Sequence, residues 1–481
     1  MRTITRPPRA NAAETLRLGL TLVLPALAQG VIVRRPLMVR LAALTRADDR
    51  AVRLLARLRA RHGDGPLLVR VPLRGWAVLV LSAADVRRVL DDRSLTPANR
   101  EKRGALGHFQ PDGVLITPEP KLRERRHDYN ERVLLPDFGP VARAAAEEAA
   151  TLPYRGVLTW TDFHAAFWRL ARRVVLGDGA RDDVTLTRML DRLRGDANWF
   201  YLRGRRTDVY RAFRRRLDGH LARAEPGSLA AALAATPAPA DVCPEGQVPH
   251  WLFAFDAAAI AAYRALALLA THPPPRTAHP GPPSTPAHPA PPGTPGEGTA
   301  ARDGAAAGGT ATHPGPSGVA THLRSAGVGG RGVGGAGVRA AVLESVRLWP
   351  TTLAILRDTT GPTEWGVPEG SLVAIYSPYV NRAEAGDHYR PDLWTGDDAW
   401  DDGEPLDGGG AWAGGDARTG VPFSAGFARC AGRDLVLFTA ASLLGAFLRE
   451  REVFASVRLE GALPASFDHT GLRFAVRQGD L

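Results

Sequence analysis

The alternation of apolar and polar positions predicts a small β part followed by a long helical body. Leu67 to Val71 and Trp76 to Leu81 are two runs of strand-forming residues separated by Pro72-Leu73-Arg74-Gly75, the pattern of a hairpin. Ser82-Ala83-Ala84-Asp85 then opens a helix through side-chain capping. Most of the chain from Glu119 to His272 repeats its apolar residues at helical spacing, so the body is mainly α. Within it, Trp251 to Leu269 is a long and almost wholly apolar helix in which Asp256 is the one acid. Val338 to Trp349 reads as a helix stopped by Pro350. Leu353 to Asp358 and Leu372 to Tyr376 read as strands, and the apolar run Leu435 to Leu444 as a last helix.

Residues 1–47 form an arm of different character. Leu16 to Val33 is apolar but contains Arg17, Pro25 and Gln29, too interrupted for the ~20 apolar residues that span a bilayer. No integral membrane span is expected. Met1 to Arg9 is rich in proline and arginine with no small-residue cleavage site after it, so a signal peptide is not expected either. The arm reads as amphipathic and packed on the body, with loose membrane association as the alternative. Residues 273–337 break the periodicity. They are dominated by Pro, Gly, Ala and Thr, and His-Pro recurs at His272, His279, His288 and His313. Such a composition cannot bury enough apolar surface to offset ordering entropy, so disorder is expected there. The expected division is therefore an arm over 1–47, one domain built from 48–272 and 338–481, and an inserted tract over 273–337.

Charge and cysteine content narrow the class. The formal net charge is +11, yet all but two of the 61 basic residues are arginine, the exceptions being Lys102 and Lys121. The arginines are spread along the chain and not gathered in a stripe, which argues against a nucleic-acid partner. Two cysteines, Cys243 and Cys430, imply no disulfide framework and fit a cytoplasmic setting.

Cys430 sits in Pro422-Phe423-Ser424-Ala425-Gly426-Phe427-Ala428-Arg429-Cys430-Ala431-Gly432, directly before the last helix. A buried cysteine in a glycine-rich turn is the plain reading. The loop also resembles the haem-thiolate loop of the cytochrome P450 family, F-x-x-G-x-R-x-C-x-G. Phe423, Gly426, Cys430 and Gly432 fall on that pattern, while Ala428 stands where the family has arginine and Arg429 comes one place late. Glycines allow backbone to approach a porphyrin closely, and a helix starting after Gly432 would bring its positive end near the sulfur.

The resemblance extends outward and implies a cytochrome P450 fold, a triangular helical prism with minor antiparallel sheets. Cys430 would ligate the iron of haem b. Glu344 and Arg347, three apart on the Val338 helix, resemble the family's buried structural lock. The lock's usual third member is missing, since Leu393 stands in its place and Arg390 is the candidate substitute. Arg357 falls where the family holds a haem propionate, and Lys121 with Arg125 resembles its other propionate clamp, with Arg123 and Arg126 equally available. With Ala428 lacking a side chain that can reach a carboxylate, Arg357, Arg429 or the Arg125 region must hold the haem. Asp256 takes the acid's place in the oxygen-activation helix, and Ala257 stands where a proton-relaying threonine is usual.

What the resemblance implies is a soluble, bacterial-type monooxygenase. It would insert one oxygen atom from O2 into a small apolar substrate, with Asp256 assisting proton delivery and electrons coming from a separate ferredoxin or flavodoxin. Phe109, Trp199, Phe200 and Tyr201 would line the substrate pocket. Two alternatives remain open: a peroxide-driven peroxygenase, and a haem-binding protein without turnover, such as a ligand sensor or a decayed paralogue.

Overall fold

The computed structural model describes residues 7–272 (apart from Leu73 and Pro136), 329–330, 333–394 and 420–479. Most of the proline- and glycine-rich tract lies outside these residues. Gly335 to Gly337, expected to belong to that tract, lie in a helix instead.

In chain order the elements are α1 (Ala12–Leu18), α2 (Leu24–Gln29), α3 (Pro36–Leu44), α4 (Ala47–His62), β1 (Leu67–Val71), β2 (Gly75–Leu79), α5 (Ala83–Asp91), β3 (Leu95–Thr96), α6 (Arg100–Leu106), α7 (Pro120–Val133) and α8 (Phe138–Ala150). There follow β4 (Gly156–Thr159), α9 (Trp160–Leu176), α10 (Val184–Ala197), α11 (Thr207–Arg223), α12 (Leu229–Ala235) and α13 (Val248–Thr271). The chain closes with α14 (Gly335–Leu348), β5 (Ala354–Thr359), β6 (Leu372–Tyr376), α15 (Ser377–Val380), α16 (Arg433–Leu448), β7 (Arg451–Ala455) and β8 (Arg473–Gln478).

The predicted hairpin is present, with Leu67 opposite Leu79 and Val71 opposite Gly75. Gly75 adopts φ +92°, a conformation that only glycine reaches without strain. The helix expected after it begins where the capping signal placed it: Ser82 Oγ accepts from the Asp85 amide at 3.2 Å. Strand order is β1-β2-β6-β5-β3 in the larger sheet and β4-β8-β7 in the smaller. Their pairings are antiparallel except β2 with β6, which is parallel.

The core of the body forms around α13. Being apolar on every side, this helix is stable only when surrounded. It packs on α9, α14 and α16, and α16 packs in turn on α8. It is the one described helix long and apolar enough to cross a bilayer, but most of it is buried inside the body. A second cluster joins the larger sheet to α4 and α5 through Leu55, Val78, Val89 and Val373.

Candidate functional site

Cys430 lies two residues before Gly432, the N-cap of α16. Its amide donates to the Phe423 carbonyl at 3.0 Å, closing the loop on itself. Burial pushes the Cys430 thiol above its ordinary pKa, against the pull of the Gly432 N–H aimed at the sulfur. A half-buried thiol with an amide donor and a helix N-terminus beside it is poised to become a thiolate once a cation lies against it. Gly426 has φ +63°, and a Cβ there would come 2.3 Å from the Leu90 carbonyl. The turn therefore requires glycine for both backbone and space. Ser424, at φ +62°, takes the same left-handed conformation without being glycine.

The loop is held at its base by the buried Glu344–Arg347 pair. Both side chains are fully enclosed, with Arg347 Nε and Nη2 donating to the Glu344 carboxylate at 2.5 and 2.8 Å. Arg347 spends its remaining donors on the carbonyls of Asn381, Gly386 and His388, at 3.2, 2.8 and 2.7 Å. Asn381 in turn accepts from the Val421 amide at 2.9 Å. One chain of hydrogen bonds thus runs from α14 through Asn381 to the cysteine loop. The side chain of Arg390 does not complete the lock. It is exposed and pairs with Asp392, and only its backbone N–H reaches Glu344, at 2.7 Å. The remaining donor is the Trp394 indole, 2.8 Å from Glu344 Oε1, which the sequence pattern did not reveal. Trp394→Phe leaves that buried carboxylate oxygen short of a donor, and is expected to cost about 1–3 kcal/mol in urea unfolding.

Beside the cysteine loop lies a cluster of cations. Arg357, on β5, is almost fully buried, and its Nε and Nη2 have no hydrogen-bond partner among the described residues. Its one bond goes to the Leu356 carbonyl, and burial together with the Arg123 charge pushes its pKa down to about 10. Arg123 is also buried, has an unpartnered Nε among the described residues, and stacks 4.7 Å above the Phe427 ring in the cysteine loop. Lys102, on α6, is the third. It reaches only the carbonyls of Pro97 and Leu356, and burial with the Arg357 charge brings its pKa down to about 7.

The other basic candidates are placed elsewhere. Lys121 is exposed, Arg125 pairs with Asp241, and Arg429 pairs outward with Glu131 at 2.8 Å. Arg126 is buried but fully engaged by Thr117, Asp241 and Val242. The geometry thus favours Arg123 with Lys102 over Lys121, Arg125 and Arg429. Which side of α7 faces the loop decides this, and the sequence leaves that phase open.

On α13 the less buried positions His250, Phe253, Ala254 and Ala257 recur at helical spacing, with Asp256 at their edge. His250 Nδ1 is without a partner among the described residues, and burial lowers its pKa to about 4. Asp256 is held by His164 on α9, at 2.9 Å, and by Arg194 on α10. Burial alone would raise its pKa, but the Arg194 charge and the His164 hydrogen bond outweigh it and hold the carboxyl far below the usual range. Phe109 is buried edge-on against Phe253 at 5.7 Å, whereas Trp199 and Tyr201, expected in the pocket, are exposed.

The chain matches solved structures of cytochromes P450. One is a six-coordinated cytochrome P450 from Thermus thermophilus, with TM-score 0.56 and 16% identity over 89% of this chain and 98% of that one. Another, a cytochrome P450 from a second strain of the same species, gives TM-score 0.56 and 17% identity over 89% and 95% of the two chains. No protein-family profile and no curated protein sequence matches. The fold is that of the cytochromes P450. At such identities the likeness speaks for fold, and function must be argued from the site.

Proposed function

We propose that the chain is a haem-thiolate monooxygenase that inserts one atom of O2 into a small apolar substrate, with two electrons supplied by a separate ferredoxin or flavodoxin. The observation that carries this reading is a pair of buried arginines, Arg357 and Arg123, with the half-buried Lys102, beside the half-buried Cys430. None of the three makes an ion pair among the described residues, and Arg357 has two nitrogens without a hydrogen-bond partner there. Uncompensated buried charge is costly, so such a cluster calls for an anionic ligand. The two propionates of haem b would satisfy it while Cys430 Sγ takes the iron. Haem on a thiolate supplies oxygen activation, the sulfur favouring O–O cleavage.

The residues divide the remaining work. The Gly432 N–H steadies the charge on sulfur, and Gly426 lets the loop turn tightly against Leu90. The Glu344–Arg347–Asn381 chain keeps the loop in register. Phe253, Ala254 and Ala257 present an apolar face that excludes water and suits an apolar substrate. Asp256 Oδ1 accepts from His164, which is partly exposed and can exchange its proton with solvent. This pair is the route for protons that Ala257, lacking a hydroxyl, cannot relay.

The test is spectroscopic. Reduced, CO-treated protein reconstituted with haem is expected to show the red-shifted Soret band of a thiolate complex, and Cys430→Ala to lose it. Arg357→Leu is expected to keep the band position but weaken haem retention by about 10–100-fold, the worth of a charged hydrogen bond. Absence of haem uptake by the wild type, or an unchanged band in Cys430→Ala, overturns the reading. The competing reading, haem binding without turnover, is favoured by Ala257. It predicts that only uncoupled NAD(P)H consumption is seen across a broad substrate panel, even after Ala257→Thr.

A further inference from the structure

We propose that a small cavity between the N-terminal arm and the body is a binding site for one monatomic anion of the size of chloride. It lies where the connection from α2 to α3, the start of α4, the second half of α13, the turn after α14 and the connection from β7 to β8 meet. Two arginines line it, Arg34 and Arg264, and Asp48 is the one acid on its wall. No residue around it belongs to the cysteine loop or to the cations beside that loop.

Arg264 projects from α13 and is 9% exposed. Its Nη1 donates to the Trp349 carbonyl at 2.8 Å and its Nη2 to the Phe467 carbonyl at 3.1 Å. Its Nε has no hydrogen-bond partner among the described residues. Arg34 is half-buried and donates to the Thr351 carbonyl at 2.6 Å and to that of Gly30 at 3.1 Å. Both guanidinium groups thus reach one short turn, Trp349-Pro350-Thr351. Neither makes an ion pair among the described residues. Carbonyls satisfy N–H groups but leave the charge in place. Burial lowers the pKa of both arginines, that of Arg264 to about 9 with the Arg34 charge adding to the effect. His469, with Nδ1 3.5 Å from Arg264 Nη2, feels the same field: burial and then the charges of Arg264 and Arg34 drive its pKa well down. It therefore adds no charge of its own.

Charge and size select the occupant. Asp48 already accepts from Tyr376 Oη at 2.9 Å, Ser466 Oγ at 3.0 Å and Gln29 Nε2 at 3.4 Å. Against two cations it leaves one positive charge over. Two further acids, Asp49 and Asp468, are held by the amides of Ala465, Ser466 and Thr470. Val39, Ala42, Leu353 and Pro378 make the rest of the wall apolar, where charge is poorly screened. A water molecule would fill the space without neutralising the charge, whereas one anion does both. The cavity volume is about 20 Å³. A single water needs about 10–15 Å³, so a chloride-sized ion fits and a phosphate, sulfate or carboxylate group does not. An anion held there would fasten the arm to α13 and to the β7–β8 connection.

The full chain, dialysed into sodium gluconate, would be titrated with sodium chloride at constant ionic strength and its thermal unfolding followed. The midpoint is expected to rise by about 2–4 °C and to saturate, as linkage to a bound ion requires. Bromide should act alike, and acetate and sulfate should not. Arg264→Gln, and the milder Arg34→Gln at the half-buried position, are each expected to raise the half-saturating chloride concentration by about tenfold or more. Wild-type crystals soaked in sodium bromide should show an anomalous peak between Arg34 and Arg264, a result that needs no variant to fold. Four outcomes would overturn the proposal: no chloride-specific shift in wild type, an equal shift with acetate, a response unchanged in Arg34→Gln, or a cavity without bromide. None of these measurements depends on haem.

Discussion

Arg347→Ala is expected to lower the stability of the folded chain by about 3–5 kcal/mol, the usual result of removing one partner from a fully buried ion pair. The loss has two parts. Glu344 would keep only the Arg390 amide and the Trp394 indole as donors, with no cation against its enclosed charge. The carbonyls of Asn381, Gly386 and His388 would lose the donor that now gathers them. Because Asn381 also holds Val421, the damage should reach the cysteine loop. Urea unfolding gives the size of the effect, and haem retention its direction: Arg347→Ala should release haem more readily than Trp394→Phe, which leaves the ion pair intact. Equal stability of Arg347→Ala and wild type would mean that the pair contributes nothing to this loop.

Asp256→Ala is expected to cost about 3 kcal/mol, since Arg194 has a side chain 1% exposed and would be left with Asp191 alone. The same group sets a pH dependence. Folding lowers the Asp256 pKa, so its contribution is fully present above the unfolded carboxylate value of about 4. It is lost as pH falls from there through the lower folded value. Below about pH 4, wild type should therefore lose stability faster than Asp256→Asn, and the two acid-unfolding curves should converge. Parallel curves would show that the carboxyl is not held ionised by its neighbours. A carboxylate this committed to Arg194 and to the His164 ring acts by accepting, so its part in proton delivery runs through His164 and not through its own protonation.

The two variants probe separate hydrogen-bond networks, and their contrast bears on mechanism. The lock supports the loop through backbone hydrogen bonds and should affect every property of the loop together. The Asp256 network lies on α13, where the proposed reaction would need water excluded and protons admitted. A variant there should alter coupling of electron use to product while leaving the spectrum of the thiolate complex in place.

Local patterns carried the elements that depend on neighbours in sequence. The Leu67–Leu79 hairpin, the Ser82 cap, the all-apolar α13 and the helix after Gly432 follow from strand propensity, capping and periodicity, which act over a few residues. The cysteine loop was legible for the same reason: Gly426 occurs where backbone geometry leaves no room for a side chain. The fold could be expected because these signals occur in a consistent order.

What the tertiary structure decided are the facts that depend on helix phase and on partners distant in the chain. Lys121, Arg123, Arg125 and Arg126 are indistinguishable as letters. The rotation of α7 alone places Arg123 on Phe427 and turns Arg125 to Asp241. Lys102 joins the cations because α6 packs beside β5, and Trp394 replaces a missing arginine because its ring nitrogen reaches a carboxylate fifty positions earlier. Trp199 and Tyr201 suggested a pocket lining, but the anchoring of Asn198 to Ile32 and Val33 turns them outward beside the arm. By itself the sequence determined which helices and strands form and which cysteine is presented, because those depend on short-range sterics and hydrophobic spacing. Which charges remain unpaired is settled only when distant surfaces compete for the same burial.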